Sequence, residues 1–238
     1  MNIVITNKKN EYKVTRLNEQ VYEFIKKQII EHTLKPNEKI DIKELSAKIG
    51  VSTTPIMNSL RELANEGLVE IRPQVGTFVS KLSKHDYEEL FMARLMFESF
   101  ESSQAAKYAT GEQISYLKNI INKSEEIFRN KEFDNNKFIP LELEFHDNIV
   151  KAGGGERIYN LYMQLHCHIQ MSKIQYSNIY ERAIKGHNDH VKIFEAIIKH
   201  DSDAAYKLSY EHVMDAKNFF IKHLDSNDEF NINNLREE

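Results

Sequence analysis

Glu142 and His146 stand one helical turn apart on a stretch that also carries Phe138, Leu141, Phe145 and Ile149. Both therefore share the face of the apolar residues and point into whatever that face packs against. His190 lies in line with Ile193, Phe194 and Ile197, and His212 in line with Ala205, Leu208, Ala216 and Phe219. A carboxylate and a histidine from one helix, with single histidines from two others, can converge on one divalent metal ion inside a bundle. Each residue also has a plain role. A lone inward histidine is as a rule a core residue satisfied by one hydrogen bond. The inward glutamate adds weight to the first reading, because a buried carboxylate needs a partner. Spacing alone leaves both readings open.

The elements that would position these residues occupy the rear of the chain. After Pro73 the one remaining proline is Pro140, and strand-like alternation disappears. Helical periodicity predicts segments near 84–109, 112–131, 138–151, 155–177, 179–199 and 202–224. Gly111, the run Gly153-Gly154-Gly155 and Asp201-Ser202-Asp203 mark breaks between them. The expected architecture is mostly α: a small front domain, then an all-helical antiparallel bundle of six to seven helices.

The front domain reads differently. Leu17, Val21, Phe24, Ile25 and Ile29 predict an entry helix, and Ile42, Leu45 and Ile49 a short helix ending at Gly50. Ser52 or Thr53 can cap a third helix with Pro55 in its first turn, Ile56, Leu60 and Leu63 on its inner face, and Gly67 at its end. Leu68–Ile71 and Thr77–Val79 then predict two short strands around Pro73 and Gly76. That order is a winged helix-turn-helix. The expected boundaries are a flexible segment over 1–15, the winged domain over 16–83, the helical domain over 84–225 and a mobile tail over 226–238.

Charge follows the same division. The formal net charge is −4, yet residues 1–84 hold 14 Lys/Arg against 10 Asp/Glu, and the remainder 18 against 26. A mildly basic front and an acidic back suit one domain near a polyanion and another held off it. The single cysteine, Cys167, suits a reducing compartment. No stretch reads as a signal peptide or membrane span, so the expected location is cytoplasmic, away from membranes.

Four blocks in order carry a resemblance over Leu17 to Leu82: Asp41-Ile42-Lys43-Glu44-Leu45-Ser46, Gly50-Val51-Ser52-Thr53-Thr54-Pro55, Glu66-Gly67-Leu68-Val69 and Gly76-Thr77-Phe78-Val79. They resemble the DNA-binding domain of the GntR family of bacterial transcription regulators. The resemblance implies double-stranded DNA as a partner, bound at a palindromic operator by a homodimer. Lys43, Ser52, Thr53, Thr54, Asn58, Arg61, Arg72 and Gly76 stand at the matching contact positions. The family usually carries arginine where this chain has Thr53 and Met57. Neither replacement can neutralise phosphate or fork onto guanine.

Residues from about Asp86 to Leu224 are similar to the helical effector domain of the FadR-like branch of that family, the FCD domain. The matching residues are Arg94 with Glu98, Glu142 through His146, Asp189-His190 before Val191-Lys192-Ile193, and Ala204-Ala205 before His212. The resemblance implies a metal held by Glu142, His146, His190 and His212. The usual first carboxylate is aspartate, so Glu142 departs from the pattern. Zinc, nickel or manganese would suit such donors. It also implies a small carboxylate effector, with Arg94, His168 and His187 as binding candidates. His166 could line the same cavity, and Arg94 can instead pair with Glu98 on its own helix. His32, His85, His200 and His223 have no comparable context.

The leading expectation is a metal- and ligand-responsive transcription regulator, in this family mostly a repressor, and not an enzyme. A metal-dependent hydrolase is the alternative, since such an ion could activate water. Against it stand the lack of a His-Glu-x-x-His motif, a nucleophile elbow or a Gly-rich phosphate loop, and the appended winged domain. A third reading is a regulator that has lost DNA binding and acts through protein contacts.

Overall fold

The computed structural model describes residues 6–31, 33–129, 133–165 and 180–225, with side chains from Leu17 onward except His223 and Asp225. His166, His168 and the tail over 226–238 lie outside the described residues. The chain divides into two compact units, Met1–Lys81 and Leu82–Glu238.

The first unit contains α1 (Thr6–Ile30), α2 (Ile42–Ile49), α3 (Thr53–Asn65), β1 (Val69–Arg72) and β2 (Gly76–Val79). Helix α1 begins inside the stretch expected to be flexible, where the run from Asn7 to Lys13 holds no glycine or proline to stop it. Ile25 and Ile29 from α1 and Ile56, Leu60 and Leu63 from α3 are buried, and the two helices pack together. Ser59, also on that inner face, spends its hydroxyl on the carbonyls of Asn18 and Pro55. Asp41 caps α2 by accepting from the Lys43 and Glu44 N–H groups, and Gly50 ends it in the left-handed region, as its lack of a β-carbon permits. Strands β1 and β2 pair antiparallel from Val69–Val79 to Arg72–Gly76. A third edge, unforeseen in the sequence, joins at Lys39–Phe78.

Every regular element among the described residues of the second unit is a helix. It comprises α4 (Lys84–Arg94), a π-helical turn (Leu95–Ser99), α5 (Phe100–Tyr108), α6 (Gly111–Arg129) and α7 (Asn135–Ala152). Helix α8 spans residues 156–165, followed by α9 (Tyr180–Ile198) and α10 (Ser202–Asp225). Ser83 and Asp86 close a reciprocal capping box at the start of α4. Periodicity predicts one helix over 84–109; the wide turn instead interrupts it just after Arg94. Such single-turn insertions carry an extra residue and redirect the side chains around them. Leu117, Ile120, Phe145, Ile149, Ile193 and Ile197 form the main core between α6, α7 and α9. No helix among the described residues is long and apolar enough to cross a membrane.

Candidate functional site

Helices α7, α9 and α10 each deliver one histidine to a single point in the bundle. His146, His190 and His212 are all buried. The His190 Nε2 lies 3.1 Å from the His146 Nε2 and 3.3 Å from the His212 Nε2. The Phe145 ring stacks on His190 at 4.3 Å between centroids and fixes the plane of that imidazole.

The outward nitrogens meet carboxylates. The His146 Nδ1 is 2.8 Å from Glu98 Oε2, and the His212 Nδ1 is 3.7 Å from Asp189 Oδ2, too long for a hydrogen bond. Glu98 is the hub. It accepts from Arg94 Nε at 2.7 Å, from Arg94 Nη2 at 3.2 Å and from the Tyr162 hydroxyl at 3.2 Å. Burial alone would push its carboxyl up, but Arg94 and His146 outweigh burial and hold it well below the usual range. Burial lowers the His212 imidazole, keeping it in the neutral form that ligates metals.

This arrangement fits a metal ion. With Nδ1 of His146 donating to Glu98, its Nε2 presents a lone pair to the cluster. His190 Nε2 has at most one proton for two neighbours, so the three nitrogens cannot all be satisfied by each other. Two nitrogens at about 2.0–2.1 Å from one ion stand about 2.9 Å apart at a right angle and about 3.3–3.4 Å apart in a tetrahedron. The observed 3.1 and 3.3 Å fall in that interval.

The other expected residues are placed variously. Glu142 is half-buried one turn before His146 and stands outside the group of donors within 4.8 Å of one another. Its charge is felt instead by the Arg94 guanidinium. Arg94 is 2 % exposed and commits two of its five N–H donors to Glu98; its Nη1 has no hydrogen-bond partner among the described residues. His187 is buried against the Phe128 ring, and its Nδ1 has no hydrogen-bond partner there either.

On the first unit, Ser52 takes the N-cap position of α3 without spending its hydroxyl on the cap, and Ser52, Thr53 and Thr54 are exposed. A helix N-terminus of this kind favours phosphate. Lys43 and Arg61 are exposed, and Met57 and Asn58 are half-buried. Arg72 on the wing is exposed, yet its Nη2 lies 2.6 Å from Glu70 Oε2.

Residues 17–79 match the family described as bacterial regulatory proteins, gntR family, and residues 89–215 match the FCD domain. The chain belongs to the GntR family. It is 27% identical over 205 residues to the HTH-type transcriptional regulator YdhC of Bacillus subtilis, covering 86% of this chain and 89% of that one. It is 24% identical over 202 residues to the HTH-type transcriptional repressor RspR of Escherichia coli, covering 84% and 86%. Among solved structures, E. coli McbR/YncC superposes with a TM-score of 0.73 at 16% identity, over 87% of this chain and 98% of that one, and so shares the fold. This GntR protein is thus a DNA-binding transcriptional regulator with an effector-binding FCD domain, and not an enzyme.

The roles of Glu98, Asp189 and Tyr162 at the histidine cluster are not visible in the sequence of this GntR chain. Glu98 was visible only as a partner for Arg94 at helical spacing. Its bond to His146 joins residues 48 positions apart, a pairing that periodicity cannot express.

Proposed function

We propose that this regulator is a homodimeric repressor on a palindromic operator, and that its FCD domain binds one divalent metal and a small organic acid. The observation carrying the metal is that His190 Nε2 lies 3.1 Å from His146 Nε2 and 3.3 Å from His212 Nε2, with donor atoms of all three buried histidines within 4.8 Å of one another and His146 oriented by Glu98. His146, His190 and His212 are the proposed ligands, and Glu142, one turn from His146, the proposed fourth. Zinc, nickel and manganese suit the set. When bound, the ion supplies Lewis acidity that fixes an anionic group. Arg94, through Nη1, and His187, through Nδ1, offer further hydrogen bonds to an organic acid. The repressor reading is supported by the name of the E. coli relative.

Purified protein is expected to carry about one divalent ion per chain by elemental analysis, to lose it to EDTA and to melt earlier without it. His190→Ala should remove most of that metal. Stoichiometric metal in the triple His146, His190 and His212 to Ala variant would overturn the ligand set. A gel shift on the DNA next to its own gene, with and without metal and a panel of small carboxylates, tests the rest.

A further inference from the structure

Lys39 stands outside the helix-turn-helix, yet the wing is built around it. Residues 37–40 run along β2. The Asn37 N–H donates to the Val79 carbonyl at 3.0 Å, the Val79 N–H to Glu38 at 2.9 Å, and the Ile40 N–H to Thr77 at 2.8 Å. Ile40 is buried, so strand alternation turns the neighbouring Lys39 outward, and it is exposed.

The Lys39 stem then crosses Gly76. A β-carbon on that glycine would stand 2.6 Å from Lys39 Cε and 3.2 Å from Nζ, at a backbone φ of +142° that already favours glycine. The bare Gly76 leaves this space to the lysine stem. The ammonium lies 6.0 Å from the Phe78 ring centroid, and the Arg72 guanidinium lies 4.4 Å from the same ring. Two cations share one aromatic ring on the surface of a DNA-binding unit.

The two cations are not equivalent. Arg72 already holds Glu70 at 2.6 Å. Lys39 has no ion pair among the described residues. The Asp41 carboxyl, held low mainly by the Glu44 and Lys43 N–H groups it accepts from and least by the Lys39 charge, is already committed. Its stem is positioned by the packing over Gly76, so less side-chain freedom remains to be lost on meeting an anion.

We propose that Lys39 is a DNA-phosphate contact of the wing, held over Gly76 beside Arg72. It supplies charge that this chain lacks at Thr53 and Met57. The contact is to the backbone, so it adds affinity on any sequence and does not select bases.

The test uses the full chain and a labelled duplex selected by the wild-type protein from a random pool, with a scrambled duplex alongside. Lys39→Met keeps an apolar stem over Gly76 and deletes the charge. It should weaken binding on both duplexes by about tenfold at low salt. The slope of log affinity against log salt should become shallower by about 0.9 for each phosphate no longer neutralised, so by about 1.8 if two subunits bind. Lys39→Arg should retain the wild-type slope. A Met variant with wild-type affinity and slope would overturn the proposal, as would a weakening confined to the selected sequence. A wild-type protein that selects no duplex would overturn the DNA-binding assignment itself.

Discussion

Two ion pairs of nearly equal length sit in opposite environments. Arg72 and Glu70 meet at 2.6 Å on the wing with side chains 42% and 55% exposed, while Arg94 and Glu98 meet at 2.7 Å with 2% and 1%. On the wing, water competes for both charges and the pair can be exchanged for a phosphate at little cost. In the bundle the same chemistry is dry. Neither partner can be removed without stranding the other, and Glu98 also holds His146. Exposure, more than distance, separates an exchangeable charge from a structural one.

The largest effect expected from this contrast is on the buried pair. Arg94→Ala should destabilise the chain by about 3–5 kcal/mol in urea unfolding, because Glu98 would be left charged and buried. The double replacement Arg94→Met with Glu98→Leu should recover much of that stability while still weakening metal retention. If Arg94→Ala costs no more than an exposed pair, the dry environment assigned to it is wrong.

Next is Glu101, buried on α5 against the end of α7 with neither carboxylate oxygen hydrogen-bonded. Burial raises its pKa. Because the folded value lies above the unfolded one, the folded state binds the extra proton. Its contribution to stability is complete below the ordinary carboxylate range and is lost as pH rises through the raised value. Glu101→Met should therefore stabilise by about 1–3 kcal/mol near neutrality and leave little difference in acid. A difference independent of pH would exclude this cause.

The smallest effect falls on the exposed pair. Glu70→Gln should leave thermal stability nearly unchanged, because water already screens the exposed pair. It should nonetheless tighten DNA binding at low salt, since Arg72 no longer has a carboxylate to give up. Unchanged affinity would show that Arg72 does not meet the backbone.

The two units differed in how far they could be read in advance. In the winged unit, Gly50, Pro55 and Gly67 punctuate short elements, and each acts within a few residues of its own position. These helix ends were legible because their signals are local, whereas the Asp41 cap was not read and Ser52 makes no side-chain cap bond. The edge formed by residues 37–40 was not, because it pairs with strands nearly forty positions away. In the bundle, 3.6-residue periodicity marked His146, His190 and His212 as inward, and all three are buried. The π-helical turn after Arg94 left no such mark, since Leu95 to Ser99 reads as an ordinary helix.

The amino-acid order by itself determined the order of the helices and strands and that His146, His190 and His212 face the core, because periodicity depends on neighbours a few positions apart. Only the tertiary structure decided that three Nε2 atoms meet, that Glu98 rather than Glu142 orients His146, and that Lys39 lies over Gly76. Those pairings join distant residues, and their strength comes from burial, which exists only once the helices and strands have packed.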